Sequence, residues 1–406
     1  MPPTTSRWRW FASMLWWLAL IAPGLGFDCL LEFPDPPDSG QGDADADADA
    51  DQRNCNPRQV TSIGARSIRY LSFLATYDQL GLMWASTAAD EFDHVSFLPL
   101  SSDGSPIGSP VDVTGGPSSH PWLVATNRGY AAAWVTSGET AEVRFARLTE
   151  GGVIDGEVLE VTTEPTISWQ PSLVFTYPGF AVAWVDYERS LLLFTRIADD
   201  GSEADEPTDV QWLDTNWTRP SLAWDGDTGY GLVWEGHDRF GNGEIDFARV
   251  SEDGSVPDGP TTVWVGGSSA IWPCITWDVP GFVLLWQEQG TIHLGQLSDD
   301  GDLGDPVPVT TSARTDEAYS LNSCVVWTGD DMAVAWVDRR DNSDQVYLGR
   351  LAVDGSRSAD DLRLTSGEAQ RTMAAVALTS TGLAVAWAEW DGTLWEIFVA
   401  FLSECS

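Results

Sequence analysis

Seven apolar runs that each end in Trp, set about 50 residues apart, alternate with Gly-bearing turns and short β-type segments. These observations predict an all-β chain folded as a seven-bladed β-propeller of four-stranded antiparallel blades. The runs are GLMW (Trp84), AAAW (Trp134), AVAW (Trp184), GLVW (Trp234), VLLW (Trp286), AVAW (Trp336) and AVAW (Trp387). The intervals between these tryptophans are 50, 50, 50, 52, 50 and 51 residues. A chain of 406 residues exceeds one ordinary core, and a ring of stacked units resolves that excess.

Each unit has the same anatomy. A first strand such as PSLVFT (Pro171–Thr176) precedes a Gly turn and the Trp strand GFAVAWV. A variable loop leads to a third strand, LLLFTRI in the third copy. A Gly turn, most often Asp-Gly, closes that strand at Gly104, Gly152, Gly201, Gly254, Gly301 and Gly355. Asp-Gly marks a tight hairpin because Gly accepts positive φ. A fourth strand ends in Val113-Thr114, Val161-Thr162, Val309-Thr310 or Leu364-Thr365. The seven tryptophans read as core, packed between neighbouring blades. The last copy ends at Ser406 without a fourth strand, and RQVTSI (Arg58–Ile63) carries the Val-Thr signature with no blade before it. Pairing Arg58–Ile63 with Glu396–Leu402 therefore closes the ring and removes two exposed edges.

Ahead of the propeller (59–406), residues 1–26 read as a signal peptide. Arg7 and Arg9 precede an uncharged run from Trp10 to Ala22, which is short for a membrane span, and Pro23-Gly24-Leu25-Gly26 follows. Residues 27–58 form an acidic low-complexity tether with strict Asp-Ala alternation from Asp43 to Asp51. Like charges at every second residue keep such a segment extended and solvated. The layout of signal, Cys29 and acidic tether resembles a bacterial lipoprotein. Asp28 and Phe27 stand where a lipobox has small residues, so cleavage near Gly26 without lipidation is the other reading. Either way the protein is expected to be exported, secreted or attached to the cell envelope.

The chain carries a net charge of −40, and all 21 of its basic residues are Arg. So acidic a surface repels nucleic acid and anionic lipid. No nucleic-acid partner is expected, membrane contact is expected only through an N-terminal anchor, and the expected state is a monomer. The five cysteines fit an exported chain. Cys55 and Cys405 flank the two closing strands and are candidates for a disulfide. Cys274 and Cys324 each lie 12 residues before their Trp, so they match in adjacent blades; a bond and two buried thiols are both open readings.

The string VAWVDRRDNSDQVYLGRLAVDG (Val334–Gly355) resembles the repeat of exported bacterial propellers of the sialidase-like superfold. The resemblance implies a secreted or surface-attached propeller and no particular activity. The Asp box of sialidases, Ser-x-Asp-x-Gly-x-x-Trp, is missing from the chain.

Candidate ligand-binding residues lie in the loops joining strands 2 and 3 and in those joining one blade to the next, which share a face. After the repeat Trp come Asp186, Glu288, Asp338 and Glu389, with Arg189, Arg239 and Arg339 nearby. The inter-blade loops add His120, Trp169, Trp217, Arg219, Trp272, Tyr319 and Arg371. Exposed Trp beside carboxylates and guanidinium groups suits sugars or peptides. The W-x-D-x-R residues also read as structural loop pairs, because they recur with the repeat. No nucleophile elbow, P-loop or dinucleotide fingerprint is present, and the four His have no metal-ligand spacing, so neither cofactor nor metal is expected. The favoured reading is a non-catalytic binding propeller for a surface glycan or a protein. The alternative is a carbohydrate-active enzyme, glycosidase or lyase-like, that uses rim Arg and carboxylates. Depth separates them: an enzyme needs a recess holding an acid, a binder only a broad rim. One covalent expectation is directly testable. Non-reducing peptide mapping of oxidised protein should recover Cys55 joined to Cys405.

Overall fold

A computed structural model describes residues 56–404, apart from 88–90, 165, 214–217, 239, 267–269, 279–280, 311–323 and 341. Cys29, Cys55, Cys405, Trp217, Arg239 and Tyr319 lie outside the described residues. The chain forms seven four-stranded antiparallel sheets, six of them built from four consecutive strands. Blade 3 is representative, with strands Ser168–Phe175, Phe180–Asp186, Leu191–Ile197 and Thr208–Trp212. First strands of successive blades touch one another at most of the seams, which puts them at the hub. At the seam of blades 5 and 6 a Cys274–Cys324 disulfide joins the hub, with Cα atoms 6.8 Å apart. The two cysteines are therefore bonded partners rather than free thiols.

The core is divided among the blade interfaces. Seven hydrophobic clusters occur among the described residues, and each lies between two adjacent blades. Each cluster contains one repeat Trp, and all seven of these indoles are buried. Strand alternation explains the division: the Trp faces the preceding blade, while residues on either side of it face the following one. Trp184 thus packs with blade 2 residues Ala133 and Val135, whereas Ala183 and Val185 pack with blade 4 residues Leu222 and Leu232. The Asp-Gly turns belong to the same packing. All six turn glycines have φ between 73° and 85°, and a Cβ at Gly201 would stand 3.0 Å from the Phe145 ring of the preceding blade.

The Val-Thr signature also has a physical role. The Thr162 and Thr365 hydroxyls accept hydrogen bonds from the third-strand N–H groups of Val143 (3.1 Å) and Val346 (2.9 Å). Thr61 does the same for Ile397 at 2.8 Å, which marks 58–61 as the outer strand of blade 7. The ladder itself is short: Arg58 pairs with Val399 and Gln59 with Phe398, antiparallel to the strand Trp395–Phe401. Beyond Gln59 the regular ladder gives way to single backbone bonds, Val60 N to Ile397 O and Trp395 N to Ala65 O, both 2.9 Å, and between them one side chain gathers the chain. The buried Glu396 carboxylate accepts from Thr61 Oγ1 (2.7 Å), Ile63 N (3.1 Å) and Gly64 N (2.9 Å). Replacing Glu396 with Ala strands three donors at the seam and is expected to cost about 3 kcal/mol. The expected readout is a lower urea midpoint, with blade 7 amides exchanging first in hydrogen-exchange mass spectrometry.

Candidate functional site

The face that carries the inter-blade connections differs from a plain strand end. Inner strands begin there with a β-bulge, seen as register breaks at Arg69/Ser72, Ser119/Trp122, Trp169/Ser172, Ile271/Cys274 and Thr372/Ala375. Within these bulges Tyr70, His120, Gln170, Trp272 and Met373 adopt positive φ of 52–59°. Left-handed backbone costs a non-Gly residue about 1 kcal/mol, and bulges re-aim side chains. Here they gather large polar and aromatic groups at the hub.

An arc across five consecutive blades results. Tyr70 of blade 1 bonds through its hydroxyl to His120 Nε2 of blade 2 at 2.7 Å, and the two ring centroids are 4.2 Å apart. Ser119 Oγ holds His120 Nδ1 at 2.8 Å. Trp169 of blade 3 stands edge-on to His120 with centroids 5.0 Å apart, and remains 38% exposed. Arg219 of blade 4 lies over the Trp272 ring of blade 5 at 5.0 Å. It also stands 3.8 Å from Glu235. Glu235 Oε1 accepts the Trp272 N–H at 2.5 Å. Further along the inner strands an axial channel of about 540 Å³ opens, lined by Trp122, Leu173, Leu222, Ile275 and the disulfide.

The two buried titratable groups shift in opposite directions. Burial pushes the Glu235 carboxyl up to about 7, against the opposing pull of Arg219 and the Trp272 N–H. Burial, reinforced by the positive charges of Arg219 and Arg69, pushes the His120 imidazole down to about 3. His120 is therefore neutral near pH 7. It accepts at one ring nitrogen and donates at the other, and orients Tyr70 rather than ionising it. Glu235 holds its proton well above the ordinary carboxylate range.

The sequence-predicted residues divide clearly. His120, Trp169, Arg219 and Trp272 come together in the arc. The others sit in pairs within or beside their own blades. Asp186 accepts from Thr166 Oγ1 at 3.0 Å and Arg189 N at 2.9 Å, and the Arg189 guanidinium reaches Asp209 at 3.6 Å. Glu288 accepts the Trp264 indole N–H at 3.1 Å. Asp338, fully buried, accepts from Thr310 Oγ1, the Trp336 indole and Arg340. Arg339 pairs with Asp344 at 2.5 Å. Glu389 accepts from the Trp387 indole at 3.1 Å and from Arg371 Nε at 2.7 Å, while Arg371 also caps the Asp344 and Ser366 carbonyls. Among the described residues no three His, Cys, Asp or Glu side chains converge as a metal site.

Two members of the arc, Tyr70 and Glu235, are absent from the sequence-derived candidates. A signal for Glu235 exists. The residue after the repeat Trp is Ala85, Val135, Val185, Gln287, Val337 or Ala388 elsewhere, an interface position that blade 4 fills with an acid.

No protein family and no curated protein matches the chain by sequence. Solved structures do match in fold. A neuraminidase-like protein, subtype N11, from a bat influenza virus (A/flat-faced bat/Peru/033/2010) is 8% identical, covers 70% of this chain and 88% of its own, and superposes with a TM-score of 0.48. A Trypanosoma rangeli sialidase is 9% identical over 84% of this chain and 56% of its own, at 0.45. A thermostable family-43 glycoside hydrolase is 12% identical over 57% of this chain and 89% of its own, at 0.37. At such identity the likeness is one of fold. The expectation of a non-catalytic binding propeller finds no support among these structures, most of which are sialidases or glycoside hydrolases, although the likeness itself shows the fold alone. The exposed aromatic rim expected from the sequence is only partly there: Trp169 is exposed, whereas Trp272, His120 and Glu235 are buried by the packing of neighbouring blades.

The opposed shifts predict how stability depends on pH. Glu235 binds its proton more tightly folded than unfolded, so its contribution is complete below pH 4.5 and lost as pH rises through about 7, a change of about 3 kcal/mol. His120 acts oppositely: its contribution is complete above pH 6.5 and lost as pH falls towards 3. Between pH 5 and pH 8 the two contributions oppose each other, so denaturant titrations should show the stability of Glu235→Gln rising relative to that of the wild type from pH 5 to pH 8.

Proposed function

We propose that the protein is an exported carbohydrate-active enzyme that cleaves a glycosidic bond at the hub of the propeller, with Glu235 as proton donor. One observation carries this reading: a buried carboxyl pushed up to about 7, 3.8 Å from Arg219 and bonded to the backbone N–H of Trp272. A general acid works best when its pKa lies near the working pH, and protonating the departing glycosidic oxygen needs such a group. The exposed Trp169 ring offers an aromatic surface to a sugar, and Arg219, seated on the buried Trp272 ring, offers N–H donors to its hydroxyl or carboxylate oxygens. The Tyr70 hydroxyl, fixed by neutral His120, adds a directional partner for a substrate hydroxyl.

In the same reading residues 1–26 direct export and 27–58 tether the propeller, with Cys29 as the attachment point if it is lipidated. The Cys274–Cys324 bond fits the oxidising compartment this requires.

Turnover of a panel of chromogenic glycosides and soluble polysaccharides tests the proposal. Glu235→Gln should lower kcat at least 100-fold while moving KM little. The wild-type rate should fall as pH rises above about 7, where Glu235 loses its proton. Trp272→Ala should chiefly raise KM. No turnover across the panel, or a wild-type rate in Glu235→Gln, would overturn the assignment.

A further inference from the structure

The opposite face of the ring carries the turns between first and second strands, and three consecutive turns there break the pattern of an acidic, well-paired surface. At the same turn position stand Tyr77 in blade 1, Asn127 in blade 2 and Tyr177 in blade 3, 50 residues apart. Tyr77 is 93% exposed and Tyr177 is 67% exposed. Large aromatic rings so far out of the core contribute little to folding and are typical of recognition surfaces.

Between blades 2 and 3 these turns border a cavity of about 240 Å³. Phe175 lines it, with the Tyr177 ring 6.3 Å away in an edge-to-face arrangement. Arg128, Asn127 and Asp199 also line it. Among the described residues Arg128 has no carboxylate within ion-pair distance, although acidic residues outnumber arginines by 61 to 21 in the chain. Arg147, the other guanidinium at the cavity, is already neutralised by Asp155 at 3.2 Å. The pocket thus offers one free cation, one carboxylate and one amide around an aromatic wall.

We infer that this cavity is a second glycan-binding site, distinct from the hub, that takes a neutral hexose or pentose residue of a polysaccharide. A sugar ring presents an apolar C–H face for Tyr177 and equatorial hydroxyls that can both donate to Asp199 and accept from Arg128 and Asn127. The volume lies below the range of drug-sized ligand pockets and suits one ring. Charge selects the neutral class: the local charges balance, and the −40 chain repels a polyanion. Tyr77, two blades from Tyr177 with Asn127 between them, adds a second exposed ring on the same face, where an extended polysaccharide could reach it. The inference does not depend on the chemistry assigned to Glu235.

Affinity electrophoresis of the full chain through gels containing a soluble β-glucan, a xylan or a mannan provides the test. Wild type should be retarded by at least one of the three. Tyr177→Ala and Arg128→Ala should each weaken that retardation at least fivefold, and both should turn over a small chromogenic glycoside at the wild-type rate. Glu235→Gln should be retarded like wild type, which separates loss of this site from loss of the hub chemistry. Both side chains are exposed, so neither substitution threatens folding, and unchanged melting temperatures would verify this. Absence of retardation in all three gels, or retardation unchanged in both variants, would overturn the inference.

Discussion

Everything in this molecule depends on covering both faces of seven small sheets. A four-stranded sheet cannot bury its two faces alone, and the ring does so by making each blade the lid of the next. The repeat Trp supplies the bulk of that contact, one indole per interface, each inserted towards the preceding blade. The strand period then fixes what the neighbouring residue must do: it points into the following interface, where small apolar residues fit. Glu235 is an acid placed in that slot. Its proton affinity, its contact with Trp272 of the next blade and its distance from solvent all follow from the stacking rule.

The architecture was readable because it is written seven times. Trp spacing, turn glycines and the Val-Thr ending each report a contact made in every blade, and Arg58–Ile63 could be assigned to the last sheet by that signature alone. The strand it forms is shorter than its pattern implies, because Glu396 supplies side-chain bonds in place of ladder bonds at Ile63 and Gly64.

The site was only partly readable, for a related reason. Repetition draws attention to recurring residues, and the recurring W-x-D-x-R carboxylates and arginines are largely spent on local order: Asp338 on its own blade's indole, Glu389 on Trp387 and Arg371. The proposed site includes a position where the repeat is broken. Glu235 breaks it by chemistry. Tyr70, His120 and Trp272 occupy a left-handed bulge that recurs in five blades, where Gln170 and Met373 take the same place, so only the side chain that the bulge carries is distinctive. No local sequence feature announces such a bulge at Tyr70, where neither Gly nor Asn marks the position.

Arg219 ties the arc together electrostatically. It stands on Trp272, within 4 Å of Glu235, and its charge is felt at His120. One cation therefore pulls on two groups whose charged forms have opposite sign: it favours the Glu235 carboxylate and disfavours a His120 imidazolium. Burial outweighs it at Glu235 and reinforces it at His120. Near pH 7 the arc holds a fixed positive charge, a neutral imidazole and a carboxyl at its titration midpoint. A proton can then leave Glu235 without the site becoming doubly charged, because the carboxylate left behind has the Arg219 guanidinium already beside it. That compensation, from an arginine and an acid of the same blade, is what the proposed role of Glu235 as proton donor draws on.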